Sequence, residues 1–183
     1  MKESFNEIEE SVALTFIGEP KEVESISEGK IVYSSLSDED KACYDEILDC
    51  ILRHDEEVSL SVTDEDEVER IYHSVMADNG GLFWLDGYSY STYTKDGNVF
   101  ALKFSPSYTF SYEERSKVQA KIDARVDTIL GTLDKEATDY EKSKFVYEKL
   151  IEIADYDINA KDSQNIISVF IDGQTVCQGY ACA

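Results

Sequence analysis

The residues best suited to covalent chemistry lie at the carboxy-terminal end of the sequence, which reads DGQTVCQGYACA. Cys177 follows an apolar segment and a turn that contains Gly173. This order predicts a cysteine in the first turn of a new helix, where free backbone N–H groups and the helix dipole favour a thiolate. One of those N–H groups can also donate to an oxyanion. Taken alone, however, the residue pattern favours the ordinary role of cysteine, that of a buried structural residue.

The other three cysteines and the two histidines show no catalytic or metal-binding spacing. Cys43 and Cys50 lie about 10 Å apart along a predicted helix, too far for a disulfide, so we expect both to be core residues. His54 and His73 lie on or beside amphipathic helices among acidic neighbours, and we expect them to be partly exposed. No cysteine or histidine spacing matches a zinc motif, and the sequence predicts neither a metal nor a cofactor.

The segment DYDINAKDSQNI begins as a calcium-binding loop does but lacks two essential positions. Asp155, Asp157 and Asn159 alternate as calcium ligands do. The loop then needs a glycine where this chain has Ala160, and a bidentate glutamate where it has Ile166. We therefore reject a calcium site here.

The sequence around Cys177 resembles the front half of a bacterial transglutaminase-like domain, whose superfamily has the papain-like cysteine-hydrolase fold. The resemblance rests on VCQGYA and on two preceding segments, DYEKSKFVYEKLIEIADYD and SQNIISVFIDGQ. The family pattern Gly-x-x-x-Cys-x-Gly-Tyr-Ala is matched by Gly173, Cys177, Gly179, Tyr180 and Ala181. Upstream, the sequence from YSSLSDEDKACYDEILDCIL through GLFWLDGYSYS resembles the region found before such domains. The resemblance thus covers roughly residues 30–183.

The resemblance implies an acyl-transfer enzyme that acts on a peptide or protein substrate. Cys177 would attack an amide or ester carbonyl and form a thioester, which water or an amine would then resolve. The backbone N–H of Cys177 would contribute to the oxyanion hole, with the side chain of Gln164 as a second donor. We favour an ordinary helix-capping role for Gln164.

The sequence departs from the family pattern after the nucleophile. Family members place a catalytic histidine and then an aspartate downstream, whereas this sequence ends at Ala183 and its two histidines precede Cys177. We therefore expect the chain to be weak or inactive alone, because no acid would protonate the leaving amine. Three explanations compete: a fragment of a larger enzyme, which we favour; a shortened gene product that binds or scaffolds; or a second chain that supplies the missing half. An incomplete core exposes apolar surface, which predicts self-association.

The alternative to an enzyme is a non-catalytic interaction module of the bacterial cell envelope. It would use the tyrosine-rich segment at 83–110 as its binding surface. Trp84 and the tyrosines of this segment fit a ligand groove or, as we favour, the packed face of a small sheet.

Composition restricts the class of partner. The chain has 39 acidic and 17 basic residues, for a net charge of −22, and such a surface repels nucleic-acid phosphates. We therefore expect no nucleic-acid partner. No apolar run approaches the roughly 18 residues that span a bilayer, so we expect no membrane insertion. The compartment stays open: cytoplasmic if Met1 is native, cell envelope or secreted if a leader was removed.

The elements that would position these residues predict an α+β fold. We expect an acidic lead-in of disorder-like composition at 1–30, an amino-terminal α/β region at 31–110 and a partial transglutaminase-like core at 111–183. Helices with a small antiparallel sheet would precede the helical front part of a papain-like core. The first expected elements are a short strand or extended segment at IVYSS, a helix capped by Ser37, a strand at EVSLSV and a helix capped by Thr63. Three short strands with a hairpin turn at Asp96-Gly97 follow, and then two helices with capping boxes at Ser111/Glu114 and Thr138/Glu141.

Overall fold

The computed structural model describes Asn6, Glu7, Ser27 and residues 29–183, so the predicted lead-in at 1–30 lies almost wholly outside the described residues. The helices are α1 (Ile31–Ser34), α2 (Asp38–Arg53), α3 (Glu65–Asp78), α4 (Tyr112–Leu130), α5 (Asp139–Ile153), a π-helix (Ser168–Asp172) and α6 (Cys177–Cys182). The strands are β1 (Asn6–Glu7), β2 (Val58–Ser59), β3 (Leu85–Lys95), β4 (Asn98–Tyr108), β5 (Asp155–Tyr156) and β6 (Gln174–Thr175). Helices combined with a small, mainly antiparallel sheet confirm the predicted α+β class.

Contacts divide the described chain into two units. The sheet unit comprises the described residues up to Asp78 together with Leu85–Thr109, and the cysteine unit comprises Asn79–Trp84 and Phe110–Ala183. The predicted domain boundaries stay predictions.

The sheet unit packs α2 and α3 against a sheet with strand order β1-β3-β4-β2. β3 pairs antiparallel with β4, β4 pairs antiparallel with β2, and β1 pairs parallel with β3. Ser37 caps α2 as predicted, because its side chain accepts a hydrogen bond from the Asp40 N–H. An apolar stripe on α2 is buried at Cys43, Tyr44, Ile47, Leu48 and Ile51, whereas Leu52 is 37% exposed. Cys43 and Cys50 are both buried and unpaired, which confirms their prediction as core residues.

Three sequence predictions for the sheet unit are wrong. IVYSS is the helix α1 instead of a strand, because the Asp78 carboxylate accepts the backbone N–H groups of Val32 and Tyr33 at 3.0 and 2.8 Å. The cap of α3 is Asp64 instead of Thr63, since Asp64 accepts the N–H of Glu67 at 3.0 Å. The tyrosine-rich segment forms two strands of 11 residues each instead of three short ones.

The hairpin turn between β3 and β4 lies at Asp96-Gly97, as predicted. Both residues have positive φ, 50° and 79°, as a two-residue turn of the I′ type requires. The expected strand EVSLSV is reduced to the two residues of β2.

The cysteine unit begins its helical part with two capping boxes, both predicted. In each box the serine or threonine side chain accepts the N3 amide, and the N3 glutamate accepts the N-cap amide in return. Ile122 is the one buried residue of α4, and α5 has none. Trp84 is 3% exposed, and the Arg115 guanidinium lies 3.6 Å from the centre of its ring.

No helix among the described residues is both long and apolar enough to span a bilayer.

Candidate functional site

Cys177 is the first residue of α6, as the sequence predicted. Its predecessor Val176 is extended, with φ −118° and ψ −176°, and gives the helix no side-chain cap. The first intrahelical hydrogen bond runs from the Tyr180 N–H to the Val176 carbonyl at 3.2 Å. Cys177 is exposed, whereas Cys43 and Cys50 are buried. The favoured interpretation from residue types alone, a buried structural cysteine, is therefore wrong for Cys177.

A buried pair of hydroxyls lies beneath α6. Ser168 Oγ and Thr175 Oγ1 are 2.6 Å apart, and both residues are fully buried. Ser168 donates to the Asn165 carbonyl at 2.7 Å, and Thr175 lies 3.2 Å from the Ser163 carbonyl. These bonds join the turn at 161–164, the π-helix and β6 to one another. Neither hydroxyl was predicted from the sequence, because a single serine or threonine near an apolar run carries no distinctive signal.

Gly179 brings the backbone of α6 against these hydroxyls. A Cβ atom at this position would lie 2.8 Å from both the Ser163 carbonyl oxygen and Ser168 Oγ, and closer still to Thr175 Oγ1. Contacts that short do not occur for real side chains, so the position accepts only glycine without a shift of the backbone. Gly179 therefore has a packing function that fixes the start of α6.

Gly173 and Tyr180 fix the two sides of the same segment. Gly173 has φ +70°, the left-handed region, and its N–H closes the π-helix on the Ser168 carbonyl. Its own carbonyl accepts the Asp155 N–H at 2.9 Å within the β5–β6 pair. The Tyr180 hydroxyl donates to the Ala154 carbonyl at the end of α5. Burial, with the nearby Asp155 carboxylate, raises the pKa of the Tyr180 hydroxyl. Ala181 is exposed.

Gln164 is exposed in the turn that precedes the π-helix. The neighbouring Ser163 carbonyl lies against Thr175, so this turn runs beside α6. Asn165 supplies the local cap by accepting the Ile167 N–H at 2.9 Å. The favoured capping role for Gln164 is therefore wrong, and its role as an oxyanion donor stays a prediction.

Both histidines belong to the sheet unit, so the cysteine unit contains none. His54 ends α2 in the left-handed region and stacks on Tyr108 with ring centres 3.8 Å apart. His73 is exposed on α3, and its Nε2 lies 3.9 Å from a carboxylate oxygen of Glu69. Both positions agree with the predicted surface location.

The tyrosine-rich strands are packed as the favoured interpretation expected. Tyr88 lies 4.3 Å from Tyr72 of α3 and 5.1 Å from Phe104 of β4, measured between ring centres. The Tyr90 hydroxyl donates to Glu65 at 2.8 Å, and this bond is the main reason that its pKa is raised to about 12.

In the rejected calcium-like segment, the Asp157 carboxylate accepts the N–H of Asn159 at 2.8 Å.

The arrangement at α6 presents an exposed sulfur beside first-turn N–H groups that no capping side chain covers. Such a sulfur can attack a carbonyl carbon, and the N–H groups can receive the developing oxyanion. The cysteine unit contains no histidine, so no histidine of that unit can act as the general base.

No protein-family model matches this chain, and no curated protein matches its sequence.

Proposed function

We propose that the cysteine unit performs thiol-dependent acyl transfer or hydrolysis on peptide or protein amides, in the manner of a transglutaminase-like enzyme. The single observation that carries the proposal is the exposed position of Cys177 at the uncapped start of α6. Of the four cysteines, the two on α2 are buried and unsuited to such chemistry.

The packing of the motif supports the proposal. Gly179, Gly173 and Tyr180 each meet a distinct structural need: close backbone approach, a left-handed turn and an anchor to α5. Together they hold the first turn of α6 on a rigid base, which is what a preorganised nucleophile and oxyanion site need.

The proposed step forms one bond and breaks another. The Cys177 thiolate attacks the carbonyl carbon, the C–S bond forms, and the C–N bond then breaks as the amine leaves with a proton taken from water. Water or a second amine attacks the resulting thioester and restores the thiol. Because the cysteine unit contains no histidine to give the amine its proton, we expect this chain to react with activated esters far faster than with amides.

The first test measures alkylation by iodoacetamide at pH 7, with the modified residue identified by mass spectrometry. We expect Cys177 to react about tenfold faster than Cys182, because its sulfur is exposed at the uncapped start of α6, whereas Cys182 is only partly exposed. Cys182 is the matched control, since it is partly exposed on the same short helix and accepts a hydrogen bond from Gln178 at 3.2 Å. Equal rates at both sulfurs, or a rate at Cys177 no higher than that of glutathione, would contradict an activated site.

The second test measures acylation by the p-nitrophenyl ester of an acylated dipeptide. We expect a stable mass adduct on the wild type and on Cys182→Ala, and none on Cys177→Ala. An adduct that still forms on Cys177→Ala and is lost in Cys182→Ala would contradict the assignment of Cys177 as the nucleophile. A chain that forms no adduct at all would favour the alternative, a non-catalytic interaction module.

A further inference from the structure

Two cations on one face of α4 lie outside the ion pairs of the described residues. Most lysines and arginines of the described range lie within 4.0 Å of an Asp or Glu oxygen, for example Arg70 with Asp40 and Lys103 with Glu57. Lys121 and Arg125 of α4 have no such partner among the described residues, although the chain holds 39 acidic residues. Because they are four positions apart, their side chains share one face of α4.

These two cations line a groove of about 540 Å³ within the cysteine unit. The opposite wall is the π-helix with the end of α5, and it contributes apolar surface from Ile153, Phe170 and Ile171. Ile171 is 40% exposed there, so part of this apolar surface is open to a ligand. The one acidic residue of the lining, Asp172, makes no ion pair with either cation. The groove thus combines an apolar surface with two cations, Lys121 and Arg125, that form no ion pair with the described residues.

We propose that this groove binds an acidic, partly apolar peptide segment, with a carboxylate on Lys121 and Arg125 and an apolar side chain against Phe170 and Ile171. A cationic pair and an apolar wall together select a Glu or Asp next to a Leu- or Phe-like residue. A purely apolar ligand would leave the cations unused, and a nucleic acid would bring many phosphates toward a chain of net charge −22.

Gly173 is one of the lining residues of the groove and links it to the proposed chemistry. Gly173 precedes Cys177 by four residues, so their Cα atoms are at most about 14 Å apart. A peptide held in the groove can therefore reach the sulfur with a few extended residues. In this form the inference rests on the proposed function: it names the substrate class as a peptide with an acidic residue near the acylated carbonyl.

The net charge of −22 repels an acidic ligand, so the binding measurement needs a defined salt concentration. At about 0.1 M salt the field of distant carboxylates is screened beyond roughly 10 Å, while contacts within the groove persist. The binding measurement is therefore made at that ionic strength.

The experiment measures fluorescence anisotropy of a labelled peptide, Ala-Glu-Glu-Leu-Phe-Ala, with Cys177→Ala protein so that no covalent step contributes. We expect the same peptide with glutamines for its glutamates to bind about tenfold more weakly. The double variant Lys121→Gln/Arg125→Gln should lose about tenfold for the glutamate peptide and nothing for the glutamine peptide. Ile171→Ser should weaken both peptides.

The matched control is the double variant Lys135→Gln/Lys144→Gln, which makes the same change in net charge at exposed positions outside the groove. It should bind within about twofold of the parent. The proposed peptide binding would be contradicted by equal affinity for both peptides, by an equal loss of affinity in the control variant, or by no binding at all. Peptide binding together with an unreactive Cys177 in the wild type would contradict the proposed function alone.

Discussion

Glu46 is a buried carboxylic acid whose pKa is strongly raised by its surroundings. It is 4% exposed on α2 and accepts hydrogen bonds from the Ser61 backbone N–H at 2.8 Å and from the Ser61 hydroxyl at 3.1 Å. Burial raises the pKa of its carboxyl to about 7, against the lowering effect of the two Ser61 bonds and with help from the neighbouring Asp45 charge. The fold therefore holds Glu46 more easily as the neutral acid.

This predicts a loss of stability as the pH rises. The pKa of Glu46 in the unfolded chain is about 4.3, so its contribution is fully present below that pH and is lost as the pH rises through about 7. Glu46→Gln keeps an acceptor for Ser61 and cannot ionise. We expect the variant to gain about 2 kcal/mol relative to the wild type between pH 4 and 7.5, measured by urea unfolding across that range.

The control for this prediction is Glu56→Gln, a change at an exposed position in the loop that follows α2. It should leave the pH profile of the wild type unchanged. A stability difference between Glu46→Gln and the wild type that stays constant with pH would show that Glu46 keeps its charge in the fold.

At the scale of elements, α4 offers two serines with opposite roles. Ser111 caps the helix by accepting the Glu114 N–H, while the Ser116 hydroxyl donates to the Tyr112 carbonyl within the helix. Removing the cap leaves an amide unsatisfied, whereas removing the internal hydroxyl favours the helix slightly. We expect Ser111→Ala to cost about 1 kcal/mol of unfolding free energy and Ser116→Ala to cost almost nothing, both measured by chemical unfolding. Equal effects of the two changes would show that the cap contributes no stability.

Elements were predictable where their determinants are local. The capping boxes and the Asp96-Gly97 turn are written within four consecutive residues, and the structure has them as predicted. Helix α1 was not predictable, because the Asp78 carboxylate that holds its first amides lies more than 40 positions away in sequence. Strands β3 and β4 run longer than expected because pairing along the whole hairpin outweighs the weak strand propensity of its serines and Gly87.

In the candidate site, too, only the features with local determinants were predictable from the sequence. The start of α6 at Cys177 followed from the local pattern around Gly173, and the structure has it. The exposure of the sulfur, the hydroxyl pair beneath it and the groove beside α4 depend on how distant segments pack. No spacing in the sequence encodes those contacts.

At the scale of the whole molecule, the net charge of −22 sets the response to salt. Self-repulsion among carboxylates destabilises the folded chain, and its surface ion pairs contribute little. We expect the midpoint of thermal unfolding to rise by about 3 °C between 10 and 150 mM NaCl. The triple variant Glu56→Gln/Asp127→Asn/Glu136→Gln, changed at exposed positions, should respond less. A midpoint that falls with salt would mean that the ion pairs outweigh the repulsion.

Trp84 is the only tryptophan of the chain, and it lies buried beneath Arg115 in the cysteine unit. Its emission therefore reports on the packing of Trp84 in that unit, while circular dichroism detects the helices of both units. Trp84 is thus an intrinsic fluorescent probe in the unit that contains the candidate nucleophile. Following both signals through one denaturation reveals whether the two units melt in a single cooperative event or in succession.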